Sequence, residues 1–101
     1  MNNSAFQVTA NTVNLAVTGS TGNVQALGSS IGQTNYLCTN IGTNTVFIAF
    51  GSTSGVTALT TTGCPLLGNS AQMFTGPPNA WVAAIAGSTG NTLYITPGEG
   101  L

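Results

Sequence analysis

Apolar and polar residues alternate along several short stretches of the chain. In one of them Val13, Leu15 and Val17 fall on one side of the backbone and smaller or polar residues fall between them. The same two-residue alternation recurs over residues 46–50 and 92–96. Alternation with this period, in segments rich in Val, Ile, Thr and aromatic residues, predicts β-strands with one buried face.

Glycine-rich segments that favour turns separate the alternating stretches, and no segment shows a sustained helical period. Regularly spaced short strands joined by such turns are typical of a sandwich or barrel. We therefore expect one all-β domain over residues 1–101, an antiparallel β-sandwich of about eight strands with a short N-terminal arm and a C-terminal tail. A jelly roll is one form of that sandwich. The predicted strands lie near residues 5–9, 12–18, 23–28, 34–41, 45–51, 56–60, 71–75, 81–86 and 91–96.

The chain has almost no charge, which restricts the chemistry it can perform. It contains no Lys, Arg or His, and Glu99 is its only acidic residue. General acid–base catalysis needs a group that exchanges a proton near neutral pH, and a thiol nucleophile needs a base or cation beside it. We therefore expect no enzymatic activity and no catalytic residue.

The same composition argues against several classes of ligand. Lys and Arg supply most of the affinity for nucleic acids and for anionic membranes, so neither is an expected partner. Glycine-rich phosphate loops normally include a Lys, and zinc sites need four ligands. We predict no cofactor site, no metal site and no small-molecule substrate.

Cys38 and Cys64 allow two interpretations. The segment that starts at Met1 has neither the basic region nor the apolar run of a signal peptide, so we expect the chain to be made in the cytoplasm, where thiols stay reduced. Two buried small apolar side chains are therefore the favoured interpretation. A disulfide between them stays open.

Two other segments call for an interpretation. Cys64-Pro65-Leu66-Leu67-Gly68-Asn69 has the composition of a covering loop, with the proline marking an edge or a turn. The rigid turn Gly76-Pro77-Pro78-Asn79 separates Phe74 from Trp81. A single Trp in a small sandwich is more often a core residue, and we favour that placement. An exposed Trp81 beside the prolines would instead be an anchor for a partner.

An uncharged surface rich in Thr, Ser and Asn suits a permanent place in an assembly, because it forms hydrogen bonds that do not depend on salt. Three classes of function fit it. The first is a virion structural protein, and the second is a receptor- or carbohydrate-binding knob in which Tyr36, Trp81 and Tyr94 stack on sugars. The third is an ice-binding protein, which ranks last because Thr60-Thr61-Thr62 is a run and not an alternating array.

Three segments carry a resemblance to a known family: residues 44–51, the stretch Cys64-Pro65-Leu66-Leu67-Gly68, and the ending Leu93-Tyr94-Ile95-Thr96-Pro97-Gly98-Glu99-Gly100. Together they resemble small tailed-phage proteins encoded among head genes, some of which act as capsid decoration or cement proteins. The resemblance covers about residues 33–101. Such proteins carry an Arg in the strand that matches Phe47–Phe50, where this chain has none.

The resemblance implies a β-sandwich located in the virion that binds the major capsid protein and copies of itself, often as a homotrimer. It would stabilise the shell of the head. We expect the partner interface to use the N-terminal arm, the proline turn and the C-terminal tail. The residues predicted to form it are Met1, Phe6, Phe74, Pro77, Pro78, Trp81, Glu99 and Leu101.

Overall fold

The chain folds into β-strands joined by short connections. A computed structural model describes residues 7–8, 11–26, 34–61, 63–77 and 80–99. Within these ranges there are nine strands and no helix. The strands are β1 (Gln7–Val8), β2 (Val13–Val17), β3 (Gly22–Gln25), β4 (Thr34–Ile41), β5 (Val46–Gly51), β6 (Cys64–Leu66), β7 (Ser70–Gly76), β8 (Trp81–Ala86) and β9 (Asn91–Glu99).

The strands form two antiparallel sheets. The first sheet has the order β1-β9-β4-β7, with β2 paired to β9 beside β1, and the second has the order β3-β8-β5-β6. Every pair is antiparallel. The prediction of an all-β antiparallel sandwich is confirmed.

The strand pairs are nested around the middle of the chain. β5 pairs with β6, β4 with β7, β3 with β8 and β2 with β9, so the polypeptide forms one long hairpin that is rolled into two sheets. The pairs β4–β9 and β5–β8 close the roll. This pairing gives the sandwich the strand order of a jelly roll.

The core fills the space between the two inner faces. Both sheets contribute large aliphatic residues, the first sheet adds the ring of Tyr36, and the second adds the small side chains of Ala84 and Ala86 on β8. Buried apolar area of this kind is the main source of stability in a small sandwich. The core residues are Val17, Ala26, Tyr36, Cys38, Val46, Ile48, Leu66, Ala80, Val82, Ala84, Ala86, Leu93 and Ile95.

The connection from β5 to β6 covers part of the outer face of the second sheet. The Asn23 side-chain Nδ2 on β3 donates to the Ser54 carbonyl at 2.8 Å, and the backbone N–H of Ala58 donates to Thr21 Oγ1 at 3.0 Å. Ala58 is fully buried, as is Ala83, which alternates with core residues and so lies on the outer side of β8. The connection therefore forms a second, smaller buried layer.

This layer corrects two predictions. Residues 56–60, predicted as a strand, belong to the covering connection, and the segment from Cys64 to Leu66, predicted as a covering loop, is strand β6. Ala58 is fully buried although it belongs to no ladder, in a connection that hydrogen bonds with Asn23 and Thr21 hold on the outer face of the second sheet. Pro65 fits β6 because β6 is an edge strand, where one side of the backbone needs no donor.

Gly68 lies where the β6–β7 connection touches the β4–β5 connection. A Cβ atom at Gly68 would stand 2.6 Å from the Thr43 carbonyl oxygen, whereas a Cβ at Gly87 would meet nothing within 4 Å. We expect Gly68→Ala to lower the free energy of unfolding by about 1–3 kcal/mol, since the backbone must move to admit the methyl group.

Urea unfolding of the two variants checks this. Gly87→Ala is the matched control and should stay within about 0.5 kcal/mol of the parent. Equal effects of the two substitutions would contradict the close approach of the two connections.

Candidate interaction surfaces

The reactive groups of the described residues are dispersed. Both cysteines are free thiols, and no disulfide joins them. The predicted burial is confirmed for Cys38 and wrong for Cys64, which is exposed on the edge strand β6. Burial raises the pKa of the Cys38 thiol from 9.0 to about 12, so it stays protonated at neutral pH. Among the described residues, no three His, Cys, Asp or Glu side chains are grouped to hold a metal ion, and no helix is long and apolar enough to cross a membrane.

The strand register defines an open surface on the outer side of the first sheet. In that register Tyr94 of β9 stands between Asn14 of β2 and Thr39 of β4, and it alternates with the buried Leu93 and Ile95. Hydroxyl-bearing and apolar side chains mix across the four strands. We call this surface the threonine face; its residues are Thr12, Asn14, Ala16, Leu37, Thr39, Ile41, Ala71, Met73, Thr92, Tyr94 and Thr96.

The threonine face carries no charged residue and keeps apolar groups in contact with solvent. Ile41 is 52% exposed and Tyr94 is 39% exposed. Thr12 and Thr96 share a hydroxyl–hydroxyl hydrogen bond of 2.7 Å on this surface. Depletion of charge around an aromatic residue is the composition found at the centre of protein–protein interfaces.

Two buried asparagines, Asn40 and Asn91, stabilise the end of the sandwich that contains the β4–β5, β6–β7 and β8–β9 connections. Asn40, on the inner side of β4, is fully buried, and its Nδ2 donates to the carbonyls of Asn44 at 2.9 Å and of Leu66 and Leu67 at 3.2 Å each. These bonds fasten the β4–β5 connection to the β6–β7 connection. A buried amide with several acceptors orders the backbone around it.

Asn91 extends the same network to the β8–β9 connection. Its Oδ1 accepts from the Asn44 backbone N–H at 3.3 Å, and its Nδ2 donates to the Ser88 carbonyl at 3.1 Å. The Asn44 side chain in turn donates to Ser88 Oγ at 2.7 Å. Gly42 has no room for a side chain because a Cβ atom there would overlap with Asn91. The central strands β4 and β9 are thereby fixed at this end.

Aromatic rings occupy the opposite end of the core. The centroids of Tyr36 and Phe50 are 5.5 Å apart, and those of Phe50 and Phe74 are also 5.5 Å apart. The Tyr36 hydroxyl donates to the Pro77 carbonyl and accepts from the Ala80 N–H at 3.1 Å. Tyr36 therefore holds both sides of the proline turn from inside the core.

This arrangement excludes one of the predicted sugar contacts. Tyr36 is fully buried and cannot stack on a ligand. Trp81, favoured as a core residue, alternates with the buried Ala80 and Val82 and lies half-buried on the outer face of the second sheet, so that placement was wrong. Trp81 and Tyr94 lie on opposite outer faces of the sandwich. The three aromatic residues do not form one site.

The predicted interface residues are only partly described. Phe74 is half-buried against Phe50, Pro77 is exposed, and Glu99 is opposite Gln7 at the end of β9. Met1, Phe6, Pro78 and Leu101 lie outside the described residues. The interface assignment stays a prediction. The threonine face was missed, although the polar positions of the alternating segment 92–96 belong to it.

No protein-family model, curated protein or solved structure matches the chain.

The Tyr36 hydroxyl gives a test of how the proline turn is held. Tyr36→Phe keeps the ring and removes one donor and one acceptor, which leaves the Pro77 carbonyl and the buried Ala80 N–H without their partner. We expect a loss of about 1–3 kcal/mol in the free energy of unfolding. Chemical denaturation measures it, with Tyr94→Phe as the control, which should change little because Tyr94 is on the surface.

The thiols give a second test. An alkylating reagent at neutral pH should modify Cys64 in the folded protein and reach Cys38 only after unfolding. Because the pKa of Cys38 is raised on folding, its contribution to stability is full below about pH 9 and declines as the pH rises toward 12. Unfolding midpoints over that range, compared with Cys38→Ala, should show a shallower decline in the variant. Equal labelling of both thiols in the native state would contradict the placement of Cys38.

Proposed function

We propose that the chain is a non-enzymatic structural protein of a phage virion, a capsid decoration protein that stabilises the shell of the head. Its partners are the major capsid protein and further copies of itself, and the resemblance implies that the copies form a trimer. Residues 33–101 supply the resemblance, and the jelly roll, a fold used by viral capsid proteins, is compatible with it.

The threonine face is the observation that supports a contact function. It is a sheet surface with exposed Tyr94 and Ile41, uncharged, and interspersed with hydroxyl groups that both donate and accept hydrogen bonds. A partner could bury it without desolvating an ion, which is the costly step in many interfaces.

The asparagine network and the Tyr36 anchor support the same proposal. Both ends of the core are held by hydrogen bonds of buried side chains, so the face between them is presented in one conformation. A rigid surface loses less conformational entropy on binding than a mobile one. A protein that binds only the assembled lattice stabilises that lattice by mass action.

A carbohydrate-binding knob is the second candidate. Half-buried Trp81 on the outer side of the second sheet is the observation that favours it, since an accessible indole ring is a common platform for sugars. Tyr94 lies on the outer face opposite Trp81 and cannot contact the same sugar, and Tyr36 is buried. A sugar site would therefore rely on Trp81 with polar neighbours of the second sheet.

Two single substitutions separate the candidates. Tyr94→Ala should weaken attachment to phage heads by about thirtyfold, because removal of a central aromatic from an interface costs about 2 kcal/mol. Trp81→Ala should leave attachment unchanged, because the proposed contact is on the threonine face and not at the predicted interface residue Trp81, which lies on the other outer face. Binding to purified heads, measured by sedimentation, gives both values, and circular dichroism checks that each variant is folded.

The remaining outcomes distinguish the proposal from its rival. Attachment should vary little with salt concentration, since the chain has no Lys, Arg or His and a single acidic residue, which leaves little charge to screen. Loss of glycan binding in Trp81→Ala, with Tyr94→Ala unaffected, would favour the knob. Absence of the chain from purified virions would falsify the virion assignment.

A further inference from the structure

Strand β7 forms one border of the first sheet. Its only strand partner within the described residues is β4, which leaves the other side of its backbone unpaired there. β7 is seven residues long, from Ser70 to Gly76, and contains neither proline nor a charged residue. Its side chains at Ala71, Gln72 and Thr75 are exposed.

The other described borders of the sandwich are shorter or interrupted. β6 has three residues and contains Pro65, β3 has four residues, and the opposite border of the first sheet is divided between β1 and β2. Natural proteins guard edge strands with lysine, proline, bulges or inward-pointing charges, because an open edge is a template for another strand. β7 has none of the residues that provide such protection.

We propose that β7 pairs in antiparallel orientation with β7 of a second copy of this chain, which joins the two first sheets into one continuous sheet. The inference rests on the proposed function because that function includes association between copies of the chain, and the pairing specifies how those copies meet. A two-fold contact of this type uses the same strand on both subunits and closes on itself.

The length and alternation of β7 set the register. Pairing over all seven residues places Met73 opposite Met73 of the second copy, Ala71 opposite Thr75, and Gln72 opposite Phe74. Ala71, Met73 and Thr75, which alternate on the outer side of β7, then meet outer residues of the second copy, so the threonine face continues across the seam. A shift by one residue would place inner side chains on the outer side and break the continuity of both sandwiches.

The neutral composition of the seam favours a second copy of this uncharged chain as the occupant. The seam contains Gln72 and the half-buried Phe74 on its inner side and apolar or hydroxyl side chains on its outer side. A copy of the same strand contributes the same neutral set, so no ion is buried when the edges meet. Thr75, which donates to Asn35 Oδ1 at 2.8 Å, is already oriented by its own sheet.

The pairing predicts an even number of copies. It therefore differs from the isolated trimer that the family resemblance implies, and it is compatible with trimers only where β7 links one trimer to another.

A matched pair of lysine substitutions tests the contact. Gln72→Lys places a charge on the inner side of the seam, in a position that is exposed in the single chain, and should raise the dimer dissociation constant by at least about tenfold. Asn11→Lys, at an exposed position just before β2 at the other border of the same sheet, should leave it unchanged. Sedimentation equilibrium of the full chain measures both, and thermal unfolding confirms that each variant folds.

Cysteine crosslinking tests the register. In a Cys64→Ser background, Met73→Cys should form an intermolecular disulfide, because directly opposed side chains lie within bonding reach. Ala71→Cys alone should not, since its own copy would be four residues away along the strand, about 13 Å. Ala71→Cys combined with Thr75→Cys should restore the crosslink.

The outcomes separate this inference from the proposed function. A monomer, an isolated trimer, or crosslinking of Ala71→Cys as efficient as that of Met73→Cys would overturn the pairing. A dimer with this register in a protein that is absent from virions would support the pairing and defeat the virion assignment. Attachment of a monomeric chain to heads would support the virion assignment and overturn the pairing.

Discussion

The buried amide of Asn40 holds together the parts of the chain that pass between the two sheets. Both the β4–β5 and the β6–β7 connections cross from one sheet to the other, and its Nδ2 donates to carbonyls in or beside each of them. The Asn40 Oδ1 accepts no hydrogen bond from the described residues. The amide is therefore oriented by its donor side alone, because three carbonyls would repel an oxygen in that position.

Polar contacts stabilise one end of the core, and aromatic contacts stabilise the other. Asn40 and Asn91 fix one end, Tyr36 with Phe50 and Phe74 fills the other, and small residues allow close packing between. The two ends are fixed without a single ion pair among the described residues. Neutral hydrogen bonds therefore provide the directional contacts in the core of the sandwich, as they do on the threonine face.

Alternation along the chain was enough to predict most strands and the sandwich, because burial of one face imposes a period of two. It could not identify residues 56–60 as a covering connection, since the hydrogen bonds that hold this segment are with Thr21 and Asn23, which are remote in sequence. It also could not orient Trp81, whose side follows from the pairing of β8 with β3 and β5. The uncharged character of the threonine face was predictable from composition, and its location depended on sheet order.

Lack of charge also constrains how the protein must associate. Without electrostatic steering, encounters between partners proceed at the modest rates of neutral surfaces, about 10⁵–10⁶ M⁻¹s⁻¹. Lasting attachment must then come from slow dissociation, which depends on shape complementarity and directional bonds. A sheet edge such as β7 supplies directional backbone groups, and a face held at both ends supplies a fixed shape. A permanent assembly, in which partners meet once and remain together, tolerates slow encounter and requires these two properties.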